Sequence, residues 1–156
     1  MGSQETILVA QDRTLLHNFH ILDETEAGMV LEGWEVKSLR DHQVNLKGAW
    51  VKMTAGEAFI QNMHIAPYPQ SREKMEPLRE RKLLLKKTEI FRLNQKTAEK
   101  GLTILPHKIY FNRKGRAKIS IALVKGKKLF DKREAIRKKE TEQNLRKIQG
   151  RAAKSF

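Results

Sequence analysis

The chain has 156 residues, with 32 Lys and Arg against 18 Asp and Glu, a formal net charge of +14. It has no cysteine, which excludes a disulfide framework, a thiol nucleophile and a thiolate metal site. The aliphatic runs Leu83-Leu84-Leu85 and Ile121-Ala122-Leu123-Val124 are far too short to span a bilayer, and no basic segment leads into an apolar one, so neither a membrane span nor secretion is expected.

Residues 1–15 read as a flexible N-terminal segment. A first hairpin is expected from His17 to Leu22, through a turn at Asp23-Glu24-Thr25, into Met29-Val30-Leu31. A short helix follows Gly33, over Glu35 to Arg40. A second hairpin runs from Ala49 to Met53, turns at Thr54-Ala55-Gly56 and returns over Glu57 to Met63. Pro67, Pro69 and Pro77 mark a long loop between Ile65 and Lys82. Thr88 then reads as the N-cap of a second helix, with Glu89 in its first turn and Gly101 as its stop. Ile90, Leu93, Thr97 and Ala98 form that helix's apolar stripe. The third hairpin has the clearest pattern. Leu105, His107, Ile109 and Phe111 share one face, Asn112-Arg113-Lys114-Gly115 turns, and Arg116 to Val124 alternates. Ala117, Ile119, Ile121 and Leu123 point inward, and Lys118, Ser120 and Ala122 point to solvent.

Charge divides the chain at Val124. Residues 1–124 hold 20 basic and 14 acidic side chains, a net of +6, whereas residues 125–156 hold 12 and 4, a net of +8. The last 32 residues are poor in apolar side chains and cannot bury enough surface to order themselves alone. The expected organisation is a core over 16–124 and a basic tail over 125–156. The expected fold is mainly β: an OB-fold-like antiparallel six-stranded barrel with flanking helices. A polyanionic partner is implied, and the basic run has no apolar face to favour a membrane. The glycines form no GxGxxG, no GxxG loop and no P-loop, and the histidines form no HExxH. No catalytic residue, metal ligand or cofactor is assigned.

Four segments carry a resemblance. They are Glu26-Ala27-Gly28, Gly33-Trp34-Glu35-Val36-Lys37-Ser38-Leu39-Arg40, Arg81-Lys82-Leu83-Leu84-Leu85, and Lys125-Gly126-Lys127-Lys128-Leu129-Phe130-Asp131-Lys132-Arg133. In order and spacing the chain resembles the SsrA-binding protein family, also called small protein B, from about Leu16 to about Ile136. The resemblance implies a bacterial, cytoplasmic RNA-binding protein without enzymatic activity or cofactor, monomeric when free. It implies binding to the tRNA-like domain of transfer-messenger RNA and delivery of that RNA to stalled ribosomes, the process of trans-translation. The core would replace the missing anticodon half. The tail, disordered when free, would enter the empty mRNA channel of the small subunit beyond the decoding centre and become helical there. As a helix it would span about 48 Å.

The family's RNA contacts map onto Glu26, Leu84 and Lys118. A family asparagine aligns with Asp12, which would lose an amide donor, so Asp12 is left out. In the tail, Gly126, Lys127 and Lys128 lead into Asp131, Lys132 and Arg133, the triplet linked to ribosome function. Phe130 falls where the family places a residue against small-subunit RNA. The residues alone leave alternatives. Glu26 reads equally as a salt-bridge partner, and Leu84 more readily as core. Lys37 and Arg40 share a helix face and read as phosphate contacts or as solvated charge. A generic basic OB-fold protein that binds ribosomal RNA, and a ribonuclease built on His and Lys, are the competing classes.

Overall fold

A computed structural model describes residues 6–99, 101–127, 137 and 139–146. The elements run in order β1 (Ile7–Gln11), α1 (Leu15–Asn18), β2 (Phe19–Met29), α2 (Gly33–Arg40), β3 (Val44–Asn45), β4 (Trp50–Thr54), β5 (Glu57–Gln61), β6 (His64–Ile65), β7 (Arg81–Leu84), α3 (Lys87–Thr97), β8 (Leu102–Phe111) and β9 (Ala117–Gly126). Seven strands form one antiparallel sheet in the order β1-β8-β9-β2-β7-β5-β4, and β3 pairs with β6. The mainly antiparallel β architecture with flanking helices is as expected. The closed six-stranded barrel is not. The sheet has seven strands, and β1 and β4 remain its unpaired edges, although β4 curls over to lie against β8.

Two hairpins follow their turn chemistry. Ala55 and Gly56 both have positive φ, 51° and 75°, and close a two-residue turn between Thr54 and Glu57. Asn112 Oδ1 accepts from the amides of Lys114 and Arg116, and Gly115 takes φ 75°, so β8 returns as β9. The first expected hairpin is instead one strand of 11 residues. Asp23, Glu24 and Thr25 lie inside it, because β2 finds a partner in β9 along its whole length, from Phe19 opposite Gly126 to Gly28 opposite Lys118. The segment expected to be flexible contributes β1, which pairs with β8.

Two bulges set which side chains face which way. One interrupts β2 between Ile21 and Asp23, and one interrupts β8 between Pro106 and Lys108. A bulge inserts one residue and reverses the alternation beyond it. The apolar face expected at Leu105, His107, Ile109 and Phe111 is therefore split. Ile109 and Phe111 enter the main core, Leu105 faces the opposite side, and His107 sits at the bulge, in contact with Glu24.

The main core lies under the concave face. It joins Ala27, Ile60, Leu83, Ile104, Ile119 and Ile121 of the sheet to Trp34 and Leu39 of α2 and Leu93 of α3. A smaller cluster lies on the outer face, where Leu15 of α1 covers Ala122 and Val124. Ala122, expected to face solvent, is fully buried there. Helix α3 begins at Lys87, with the Glu89 carboxylate accepting from the amide of Lys86, and of its expected stripe only Leu93 is buried. In the tail, residue 137 and residues 139–146 are helical.

Two of the recognised motifs are explained by packing. Glu35 is completely buried and accepts from Arg81 Nε and from Arg79 at 2.5 Å, while also capping the amide of Glu32 at 2.8 Å. Arg81, equally buried, spends its remaining donors on the carbonyls of Met63 at 2.6 Å and Pro77 at 3.1 Å. Burial pulls the Arg81 guanidinium below its ordinary pKa, and Glu35 opposes that pull. Ser38 donates to the carbonyl of Ala66. These bonds tie α2 to the long loop and to β7.

Candidate nucleic-acid interface

Strand register alone assembles the site. Tyr110 on β8 lies opposite Lys118 on β9, Lys118 lies opposite Gly28 on β2, and Gly28 lies opposite Leu84 on β7. Residues directly opposite one another share a face, so these four form one cross-strand row. The β2 bulge places Glu24 and Glu26 on that same outer face, opposite Ala122 and Ser120. Glu26, Leu84 and Lys118, which the resemblance selects one by one, are thus brought together on the convex side of the sheet.

Gly28 makes the close approach possible. A Cβ on Gly28 would lie 3.3 Å from Leu84 Cβ and 3.6 Å from Lys118 Nζ. The missing side chain lets the Leu84 methyls and the Lys118 ammonium share the space above one backbone. Leu84 is 54% exposed, so it is not core. Lys118 is half-buried, with its stem along the sheet.

Glu26 is exposed and is held by one partner: the Tyr110 hydroxyl donates to its Oε2. Its alternative reading, a salt bridge to Lys or Arg, is not what the structure shows. Burial, then the hydrogen bond and charge of Glu26, push the Tyr110 hydroxyl well above the ordinary tyrosine pKa. Tyr110 therefore stays a donor, and the second oxygen of Glu26 stays an acceptor facing outward. Glu26 also divides two hollows. One, of about 570 Å³, is lined by Leu8, Glu24, Lys108, Tyr110 and Ser120. The other, of about 580 Å³, is lined by Leu84, Lys86, Lys87, Ile90 and Lys118.

Other candidates lie elsewhere. Lys37 and Arg40 are the exposed cations of α2, line neither hollow, and Lys37 Nζ sits 5.6 Å from the centre of the Tyr68 ring. Gly126 ends β9 opposite Phe19, at the far end of the strand from the row. Lys127 is bound at α1: its amide donates to the Asn18 carbonyl at 3.0 Å and its ammonium to the Leu16 carbonyl at 2.7 Å. Lys128, Phe130, Asp131, Lys132 and Arg133 lie outside the described residues. Asp12 is occupied locally, its Oδ1 accepting from the amide and hydroxyl of Thr14. Tyr110 is the residue the sequence reading missed. Its signal was present, because it falls between Ile109 and Phe111 and must face away from them.

No group of His, Asp or Glu among the described residues could hold a metal, and no helix among them is long and apolar enough to cross a membrane. An antiparallel sheet that displays cations, an exposed leucine and an oriented carboxylate on one face defines a protein of the sheet-faced RNA-binding class. The comparisons carry this to a family. The family described as SmpB protein matches residues 9–151. The SsrA-binding protein of Persephonella marina is 50% identical over 141 residues, covering 90% of this chain and 92% of that one. That of Desulforudis audaxviator is 49% identical over 154 residues, covering 97% and 100%. A chain of the solved structure "tmRNA-SmpB: a journey to the center of the bacterial ribosome" is 44% identical, with a TM-score of 0.68 over 82% of this chain and 94% of that chain. The chain belongs to the SmpB family of SsrA-binding proteins.

Proposed function

We propose that the protein binds the tRNA-like domain of transfer-messenger RNA on the outer face of its sheet and delivers that RNA to stalled ribosomes in trans-translation. The observation that carries the reading is the row Tyr110–Lys118–Gly28–Leu84 with Glu26 beside it. Each member suits a different part of an RNA. Lys118 offers an ammonium to phosphate, Leu84 an apolar contact to an exposed base, and Glu26 a fixed acceptor for base amino or imino groups. A carboxylate inside a basic surface repels phosphate, so the site favours a shaped RNA whose base edge meets Glu26. That is selectivity by a repulsive element.

The protein acts in the cytoplasm by binding, without a catalytic step. The core takes the place of the missing anticodon half. Lys37 and Arg40 present a second basic surface, and the tail, with Phe130, Asp131, Lys132 and Arg133, probes the empty mRNA channel. The test is RNA capture from a bacterial lysate with sequencing, followed by competition. Transfer-messenger RNA should be retained against excess tRNA and ribosomal RNA. Equal competition by all three would sink the reading. Removal of residues 128–156, which leaves β9 whole, should preserve this binding and abolish tagging on stalled ribosomes. Tagging by the truncated protein would exclude the channel role.

A further inference from the structure

The hollow beyond Glu26 does not end at the sheet. Its far wall is the start of α3, where Lys86, Lys87 and Ile90 face Leu84 and Lys118. One turn along from Lys87 stands Phe91, 65% exposed. Residues four apart on a helix are neighbours on its surface, so the Phe91 ring and the Lys87 ammonium lie side by side. The helix cannot roll to bury that ring. Leu93 anchors it in the core, and Arg92 binds the Asp23 carboxylate at 3.2 Å and the Thr25 hydroxyl at 3.1 Å. With Arg92 and Leu93 turned to the sheet, Phe91 is held outward.

The charges along this wall are unequal. Glu57 is tied to Lys82 at 3.1 Å, Glu89 accepts from the amide of Lys86, and Glu26 takes the Tyr110 hydroxyl. Among the described residues, Lys86, Lys87 and Lys118 make no ion pair. An apolar track from Leu84 through Ile90 to Phe91 is therefore bordered by free cations. A lone exposed aromatic is ordinary. An exposed aromatic continuous with a cation-lined hollow is the arrangement that holds a single-stranded nucleic acid, with phosphates on lysines and a base on the ring.

We infer that the RNA surface extends past Leu84 onto the outward face of α3, where Phe91 stacks on an unpaired base of the RNA bound at Glu26, Leu84 and Lys118. The inference rests on the function proposed above and adds a contact to it. Stacking uses the ring face that every base shares, so this position adds affinity and tolerates base identity.

The test uses the full chain and the isolated tRNA-like domain of transfer-messenger RNA, titrated at several salt concentrations. Phe91→Ala should weaken binding about 5- to 100-fold and leave the salt slope unchanged. Lys87→Ala should lower that slope by about 0.7–0.9. Phe91→Trp should restore binding, and its added fluorescence should be quenched by the RNA. Phe91→Ala binding like wild type, while Glu26→Ala is weakened, would overturn the inference alone. If neither weakens binding, the proposed function falls with it. Should wild type sediment as a dimer and Phe91→Ala as a monomer, with RNA affinity unchanged, the ring serves a second copy of the chain and the inference is wrong. Because Phe91 contributes little to the core, the thermal midpoint of Phe91→Ala should match wild type, which separates these results from misfolding.

Discussion

The Tyr110 hydroxyl on β8 donates to the Glu26 carboxylate on β2, reaching across the strand that lies between them, β9. The bond holds the one acidic member of the candidate site in place. It also fixes which oxygen of Glu26 is left for a ligand.

Removing that hydroxyl should loosen Glu26 without unfolding the sheet. For Tyr110→Phe we expect RNA affinity to fall about 3- to 10-fold, with stability changed by less than about 1 kcal/mol. Filter binding and a denaturant melt measure the two. Alkaline titration followed by absorbance should show one tyrosine ionising well above pH 10, absent from Tyr110→Phe. The sign is set by the raised folded value. The bond's contribution is complete below the ordinary tyrosine pKa of about 10 and is lost as pH climbs through the folded one. A tyrosine pair titrating together near pH 10 in the wild type would contradict the geometry.

Gly28→Ala tests the close approach. The new Cβ would press on Leu84 Cβ at 3.3 Å and crowd Lys118 Nζ at 3.6 Å. The backbone there tolerates alanine, since Gly28 has no positive φ. We expect a near-normal melting temperature and RNA binding weakened several-fold. Unchanged binding would mean that Leu84 and Lys118 need not converge.

Salt dependence separates the cation from the carboxylate. Lys118→Ala should lower the slope of log affinity against log salt by about 0.7–0.9, because one phosphate contact is lost. Glu26→Ala should weaken binding to transfer-messenger RNA with no such drop, and should narrow the gap between that RNA and generic tRNA. Equal losses for all RNAs in both variants would remove Glu26 as a discriminating residue.

Glu35 is a residue of stability. Glu35→Ala leaves Arg81 as a buried cation without its carboxylate, and should cost about 3–5 kcal/mol in a urea melt. Glu35→Gln should cost less, since the amide oxygen still accepts. A surface-sized effect, below about 1 kcal/mol, would show that the pair is not buried in solution.

Much of the fold was legible where local chemistry decides it. The Asn112–Gly115 turn and the alternation of Ala117, Ile119 and Ile121 gave the β8–β9 hairpin, and Ala55-Gly56 gave the β4–β5 turn. The inserted residues in β2 and β8 were not legible, because a bulge is fixed by the partner strand and not by its own segment. For the same reason β2 was read as a hairpin: Asp23-Glu24-Thr25 looks like a turn until β9 is laid beside it. The site was legible only by family likeness. Its row joins β8, β9, β2 and β7, and the contacts of β9 with β2 and of β2 with β7 link segments far apart in the chain. The same likeness could not sort its own motifs into work and support. Of the GWEVKSLR segment, Trp34, Glu35, Ser38 and Leu39 are buried and hold the fold, which leaves Lys37 and Arg40 as the exposed cations.

Strand β9 begins beside the RNA row at Lys118 and finishes at Gly126, where Lys127 is clamped to the carbonyls of Asn18 and Leu16. Eight residues of strand separate the two, about 26 Å at ~3.3 Å each. That interval is stiff, because β9 is paired on both sides by β8 and β2. The protein is thereby a gauge block: whatever the core grips and the point from which the tail departs keep a constant offset. Residues added after Lys127 would give the tail slack but could not shift its origin, so where the tail starts searching is decided by the sheet.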